Sequence, residues 1–281
     1  MYTKDIGSTF DKNIKNEWLC TNGIGGYSNS TIIGANTRKY HGLLIASIGN
    51  NLKRYLVLSK INEHILYKNE RYSISSNECD NYIEKGYVYQ ECFEKNYFPE
   101  FLYKVQDVEI VKQIVMVYGE NKVCIKYIIV NNNNYDIKFL MQPLVNYRNI
   151  HTVQNAGNYN KEFSNSILKI DVSSDNKLYL KATDSTFSPF ENTFYNNIFY
   201  REERDRGFDA FESLYMPGEF SVDVFAKSKK EIILVAELNK ECTIDDKLTS
   251  NYFKAEEIRL EKICKIASAK TEVEKQLAIA A

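Results

Sequence analysis

Val123 to Met141 reads VCIKYIIVNNNNYDIKFLM. In it Val123, Ile125, Tyr127 and Ile129 alternate with Cys124, Lys126 and Ile128. Tyr135, Ile137, Phe139 and Met141 alternate in the same way with Asp136, Lys138 and Leu140. Alternate side chains of a β-strand fall on one face, so each half reads as a strand with an apolar side. Asn131 to Asn134 are turn formers between them, and the whole stretch predicts a β-hairpin. The alternation returns in Phe220, Val222, Val224 and Ala226, and again in Ile232, Leu234, Ala236 and Leu238. Short strands with polar turns recur from Leu43 to Leu238, and no long helical pattern interrupts them. The expected fold class is all-β: a large antiparallel β-sandwich of two packed sheets.

Beyond Asn251 the period changes. Leu260, Ile263, Cys264 and Ala267 fall on one helical stripe, as do Val273, Leu277 and Ala281. The expected organisation is a β-sandwich domain over residues 1–248 and a helical segment over residues 249–281, with the seam at Lys240 to Thr249.

The 281 residues suit one large sandwich domain with a sizeable core. Lys and Arg number 36 against 37 Asp and Glu, which leaves no basic footprint for nucleic acid or an anionic membrane surface. The six cysteines, Cys20, Cys79, Cys92, Cys124, Cys242 and Cys264, have neither CxxC nor framework spacing. With no leader-like or membrane-length apolar run, they read as reduced thiols of a cytoplasmic protein, and Cys124 reads as a buried small hydrophobe. His41, His64 and His151 lack the spacing of a metal site. Gly23-Ile24-Gly25-Gly26 lacks the βαβ context of a dinucleotide site. No cofactor or metal is expected.

Chemistry-bearing residues gather in Glu17 to Ala46, EWLCTNGIGGYSNSTIIGANTRKYHGLLIA. Its turns, marked by Asn22 with the glycines at 23, 25 and 26 and by Gly34-Ala35-Asn36, carry Arg38, Tyr40 and His41 to the lip of an apolar strand. A planar donor, an aromatic face and an imidazole suit hydroxyl-rich ligands such as sugars. Arg148 and His151 offer the same donor and imidazole further on. Two readings stay open for this set: a sugar-binding groove or the rim of a site, or loop bracing. His41 is assigned to the rim because Gly42 permits close approach, and Arg38 to bracing because a guanidinium satisfies several loop carbonyls. Glu202, Glu203, Asp205, Asp209 and Glu212 could suggest a glycosidase acid and base, but with Arg201, Arg204 and Arg206 among them they read as a salt-bridged loop.

The run from Trp18 to Leu44 resembles the N-terminal signature of bacterial and archaeal glycogen debranching enzymes of the amylo-α-1,6-glucosidase type. There W-L-x-T-N-G-x-G-G-Y/F-x-S-x-T is followed by N-T-R-K/R-Y-H-G-L-L. Pro143 to His151 is similar to that family's P-x-x-x-x-R-D-x-H element, with Asn149 in place of the acid. Tyr200 to Phe220 is similar to its Y-x-x-E-x-x-R-G-x-D-x-x-E-D-L-x-x-P-G-x-F segment, with Ser213 in place of the second acid. The resemblance implies the β-supersandwich that precedes the (α/α)6 catalytic barrel in glucoamylase-like enzymes. Its acidic, tryptophan-rich hallmark is absent, and Trp18 is the one tryptophan here. The chain is therefore expected to be an N-terminal domain, truncated or separately encoded, whose catalytic barrel is supplied in cis or in trans. The implied parent reaction is inverting hydrolysis of an α-1,6-linked glucose stub. This domain would position an α-glucan (glycogen or limit dextrin), dock the barrel and be inactive alone; the rival is a free-standing carbohydrate-binding or purely structural domain. Without a barrel, the tail stripe is expected to fold back or to form a homodimer through the C-terminal helices.

Overall fold

The computed structural model describes residues 9–49, 53–241 and 246–280. After a short helix α1 (Phe10–Asn13), the chain forms β1 (Glu17–Thr21), β2 (Tyr27–Thr31), β3 (Gly42–Ile48), β4 (Lys53–Tyr67) and β5 (Glu70–Ser73). A small ribbon follows, β6 (Ser76–Glu78) with β7 (Ile83–Lys85), and then β8 (Gln90–Lys95), β9 (Pro99–Val105), β10 (Val108–Met116) and β11 (Lys122–Asn131). Next come β12 (Ile137–Asn149), β13 (Asn160–Ser164), β14 (Ile167–Asp171), β15 (Lys177–Ala182), β16 (Thr186–Pro189) and β17 (Phe194–Phe199). A short helix α2 (Arg201–Asp205) precedes β18 (Phe211–Tyr215), β19 (Gly218–Val224) and β20 (Ser228–Leu238). Two helices, α3 (Asp246–Ile266) and α4 (Glu272–Ala280), end the described chain.

Two large antiparallel sheets result. The first has ten strands along the order β1-β2-β3-β4-β12-β18-β17, with β5 paired to β4, β19 to β12 and β16 to β19. The second has eight, in the order β13-β14-β15-β20-β11-β10-β9-β8. The expected sandwich is there, and its core is built from the predicted alternation. Val123, Ile125, Tyr127 and Ile129 are all fully buried, as are Ile232, Leu234, Phe139 and Phe220. Glu63 of β4 pins one sheet to the other: its carboxylate takes the Lys112 ammonium at 2.5 Å and the Tyr127 hydroxyl at 2.8 Å. A buried charge met by a countercharge and a hydroxyl has its desolvation offset only in this register.

The hairpin expected at 123–141 does not form. β11 pairs with β10 and β20, whereas β12 pairs with β4, β18 and β19, so the two strands lie in different sheets. Their apolar faces meet across the sandwich instead, with the Tyr127 and Phe139 rings 5.0 Å apart. Alternation is identical in either arrangement; the corner decides it. The buried Asn131 amide donates to the carbonyls of Tyr135, Val224 and Phe225 at 2.9, 3.2 and 3.1 Å, and its oxygen accepts from the Asn133 N–H. Those contacts turn the chain out of one sheet into the other.

The tail is folded back on the sandwich. Phe253 of α3 packs on Val115, Cys124, Ile233 and Val235, the outer face of the eight-stranded sheet. Leu260 and Cys264 of the expected stripe are buried, while Val273 and Leu277 of α4 are exposed, as are Ile258 and Ile266 of α3. Part of the expected seam, residues 242–245, lies outside the described residues, as do Cys242 and Ala281. Among the described residues no disulfide forms, and no helix is long and apolar enough to cross a membrane.

Candidate functional site

Residues 32–41 link β2 to β3, and local chemistry fixes their path. Gly34, at φ +71°, makes the turn after Thr31. Asn36 is buried, taking the Ser30 hydroxyl on its oxygen at 2.7 Å and giving its amide to Ser59. The Thr37 N–H donates to Nδ1 of His41 at 3.1 Å, and the His41 N–H closes the turn on the Arg38 carbonyl. Accepting at Nδ1 leaves the neutral ring's proton on Nε2, which lies 3.5 Å from Oε1 of Glu17. Gly42 follows because a β-carbon there would sit 2.5 Å from the Leu56 side chain.

Three widely spaced segments converge on this turn. From the first strand, Glu17 takes Nε of Arg38 at 2.7 Å. His41 and then Arg38 hold that carboxyl far below its ordinary range, at about 2, against the opposing effect of partial burial. From α2, the Glu202 N–H donates to the Thr37 carbonyl at 3.1 Å and its carboxylate lies 3.4 Å from Arg38. Glu203, fully buried, stands 3.6 Å from the ammonium of Lys39, which also lies 4.7 Å over the Phe208 ring. From the end of β12, Arg148 donates to the Lys39 carbonyl at 2.7 Å and grips Glu212 of β18 through both Nε and the second guanidinium arm. Glu212 also accepts from the Tyr200 hydroxyl, the Asn146 amide and the Gln154 N–H. Burial and the adjacent Glu212 charge keep the Tyr200 phenol protonated by raising its pKa.

The outer edge of the turn differs in character. Tyr40 meets His151 edge-on, with ring centres 5.6 Å apart and its hydroxyl 3.2 Å from Nδ1. Tyr40 is half-buried and His151 exposed. Asn149, where the related pattern has an acid, accepts the His151 N–H at 3.0 Å, a turn contact that a carboxamide oxygen makes without charge.

Of the sequence candidates, Arg38, Tyr40, His41, Arg148 and His151 are thus brought together. Asn22 is not: it closes the far end of the β1–β2 hairpin, its oxygen accepting from the N–H groups of Ile24 and Gly26 and its amide reaching the Glu120 carbonyl at 2.8 Å. His41 and Arg148 are buried beneath the turn, and Arg38, about a third exposed, bridges Glu17 and Glu202 across it. Of the acids of the 200–212 segment, Glu202, Glu203 and Glu212 are ion-paired, chiefly with Arg38, Lys39 and Arg148, whereas Asp205 and Asp209 form no ion pair among the described residues. Arg201 instead binds Glu78 and Asp11, and Arg204 covers Phe199 and Phe211. Glu17, Lys39 and Asn146 lie inside the stretches singled out in the sequence but were not candidates, since only proximity in space makes them partners. Among the described residues no group of three or more His, Cys, Asp or Glu could hold a metal ion.

The model of the glycogen debranching enzyme N-terminal family matches residues 16–231, which takes in all three converging segments. The chain belongs to this family. Among curated proteins none matches the chain. Of solved structures, a bacterial glucoamylase complexed with acarbose is 9% identical, over 87% of this chain and 33% of that one, at a TM-score of 0.37. A 4-alpha-glucanotransferase from Thermococcus litoralis is 7% identical, over 78% of this chain and 37% of that one, at 0.35. The debranching-enzyme N-terminal domain thus spans about a third of the length of each of these larger chains, and its assignment rests on the family match.

Proposed function

We propose that this domain orients an α-glucan beside a C-terminal (α/α)6 catalytic domain, in cis or in trans, and packs against that domain in the cytoplasm. The parent activity would be hydrolysis of α-1,6-linked glucose at glycogen branch stubs, with this domain inactive alone. The observation that carries the reading is the split in the 37–41 turn: His41, Arg148 and Glu212 hold it from below, while Tyr40 and His151 stand at its outer edge. An aromatic edge and an imidazole suit sugar hydroxyls and ring faces. The acids nearby support inactivity. An inverting glycosidase needs two carboxylates about 6.5–9.5 Å apart across an open site, but Glu203 and Glu212 are fully buried. The exposed Ile258, Ile266, Val273 and Leu277 support packing against the catalytic domain, or homodimerisation in its absence.

The burial of Asn22, His41 and Arg148 favours a second reading, a scaffold that touches no ligand. Glycogen-containing native gels separate the two. The chain should be retarded with a dissociation constant on the order of millimolar, about 4 kcal/mol, and Tyr40→Ala/His151→Ala should run faster at unchanged melting temperature. No retardation of the wild type leaves the scaffold. Steady glucose release from a glucosyl-branched limit dextrin would overturn inactivity.

A further inference from the structure

We infer that a groove outside the 37–41 turn is a second binding site, for a run of several neutral sugar units. Its largest part, a cavity of about 850 Å3, is lined by Asn155, Asn158, Asn160, Asn192 and Asn196 and has no charged residue in its lining. Among the described residues, none of those five side-chain amides has a hydrogen-bonding partner within the chain. Each amide offers two donors and an acceptor, which is what vicinal hydroxyls require. A phosphorylated or carboxylated ligand would call for cations in the lining; Lys161, 5.8 Å over the Tyr215 ring, lies outside it and gives its ammonium to the Phe190 carbonyl.

The floor is aromatic. Tyr159 stacks on Tyr215 with ring centres 4.7 Å apart and planes 17° from parallel, and Phe194 leans on Tyr215 at 5.6 Å. Tyr215 is itself buried, so the apolar surface offered below the free amides is that of the half-buried Tyr159 and Phe194, against which a sugar's C–H face can lie while the amides meet its hydroxyls. Gly157 lets the loop lie down on this floor, since a β-carbon there would fall 2.6 Å from the Tyr159 ring.

The groove is longer than one sugar. Asn158 and Asn160 also line a neighbouring cavity of about 400 Å3 that continues over Ser173 and Ser174. The same two serines line a third of about 440 Å3, beside a stacked pair, Tyr55 and Tyr147, 5.0 Å apart. These two extensions are lined by charges of both signs, Asp171 with Lys177 and Lys53 with Asp175, so neither selects a charged ligand; adjacent cavities that share walls fit a chain of sugar units better than a single one. The Tyr159 hydroxyl donates to Asn146, whose amide donates to Glu212, so the groove floor hangs from the same ion pair that braces the 37–41 turn.

The choice of an α-glucan among neutral oligosaccharides rests on the function proposed above. The test is calorimetric titration of the full chain with maltoheptaose, beside hydrogen–deuterium exchange. Asn158→Ala/Asn196→Ala removes exposed amides without touching the core, so folding is preserved. The expected result is a roughly 10-fold or greater rise in dissociation constant, with sugar-induced protection of residues 155–160 and 192–196. Binding unchanged in this variant, with protection confined to residues 37–41 and 151, overturns the groove and leaves the proposed function standing. No binding of maltoheptaose by the wild type overturns both.

Discussion

Arg148→Met removes the guanidinium on which the 37–41 turn rests. Its bonds to both oxygens of Glu212 disappear, along with those to the Lys39 and Asn149 carbonyls at 2.7 and 3.3 Å. Breaking one side of a buried ion pair costs about 3–5 kcal/mol, because the remaining charge stays out of water. Glu212 keeps three donors, from Tyr200, Asn146 and Gln154, which places the expectation at the low end, about 3 kcal/mol. For a chain somewhat larger than 250 residues, each kcal/mol moves the melting midpoint by roughly 2–4 °C. Thermal unfolding followed by far-ultraviolet circular dichroism should thus fall by about 6–12 °C.

Adding Glu212→Gln separates the charge from the contacts. The orphaned carboxylate becomes neutral, so the double variant should lose less than the sum of the singles, by about 1–3 kcal/mol of coupling. A loss below about 1 kcal/mol in Arg148→Met, or strict additivity in the double variant, would refute the argument that this pair supports the turn. Weakened glucan binding with unchanged stability would place Arg148 at the ligand instead.

Two further outcomes follow from the structure. Glu17, held at about 2 by His41 and Arg38, stabilises the fold above its ordinary value near 4.5, and the contribution disappears as pH falls toward 2; since about a third of the side chain is exposed, screening limits the effect to roughly 1 kcal/mol. Urea midpoints of wild type and Glu17→Gln should therefore differ at pH 6 and merge as pH falls below about 4; a constant gap would refute the linkage. Val273→Glu/Leu277→Glu should abolish self-association seen by light scattering while leaving the melting temperature within about 2 °C; an unchanged mass distribution would remove α4 from any interface.

Much of the fold could be read from side-chain period alone. Val123 to Ile129 and Ile232 to Leu238 alternate, and the structure buries their apolar positions as that alternation requires. The division of the tail stripe was less legible. Leu260 and Cys264 are buried, Cys264 against the Lys275 carbonyl of α4, while Val273 and Leu277 face solvent, because α3 and α4 are separate helices with independent facing. A moment along the sequence reports that a face exists and not what covers it. Five of the six candidate residues lie together and Asn22 does not, and none of their roles could be read from the sequence. Arg38, His41 and Arg148 carry the same chemistry whether exposed or buried, and burial is settled by Glu17 and Glu212, which lie 21 and 64 residues from Arg38 and Arg148 respectively.

The misread corner at Asn131 bears on the site as well as on the fold. Had Val123 to Met141 been a hairpin, β12 would have joined the eight-stranded sheet beside β11. By crossing over, β12 instead lies against β4, where Arg148 pairs with Leu56 and Asn149 with Tyr55. β4 in turn pairs with β3, Leu56 lying opposite Ile45, and β3 begins at Gly42, directly after the turn that Arg148 supports. The register of β3, β4 and β12 therefore delivers the guanidinium beneath the Lys39 carbonyl. β18, on the other side of β12, brings Glu212 to meet it. Long-range pairing of this kind leaves no local trace in composition or period, since each strand looks the same whichever neighbour it takes. What the sequence does retain is the Arg148–Glu212 complement itself: a cation and an anion that would each be costly to bury alone, placed on strands that bury both.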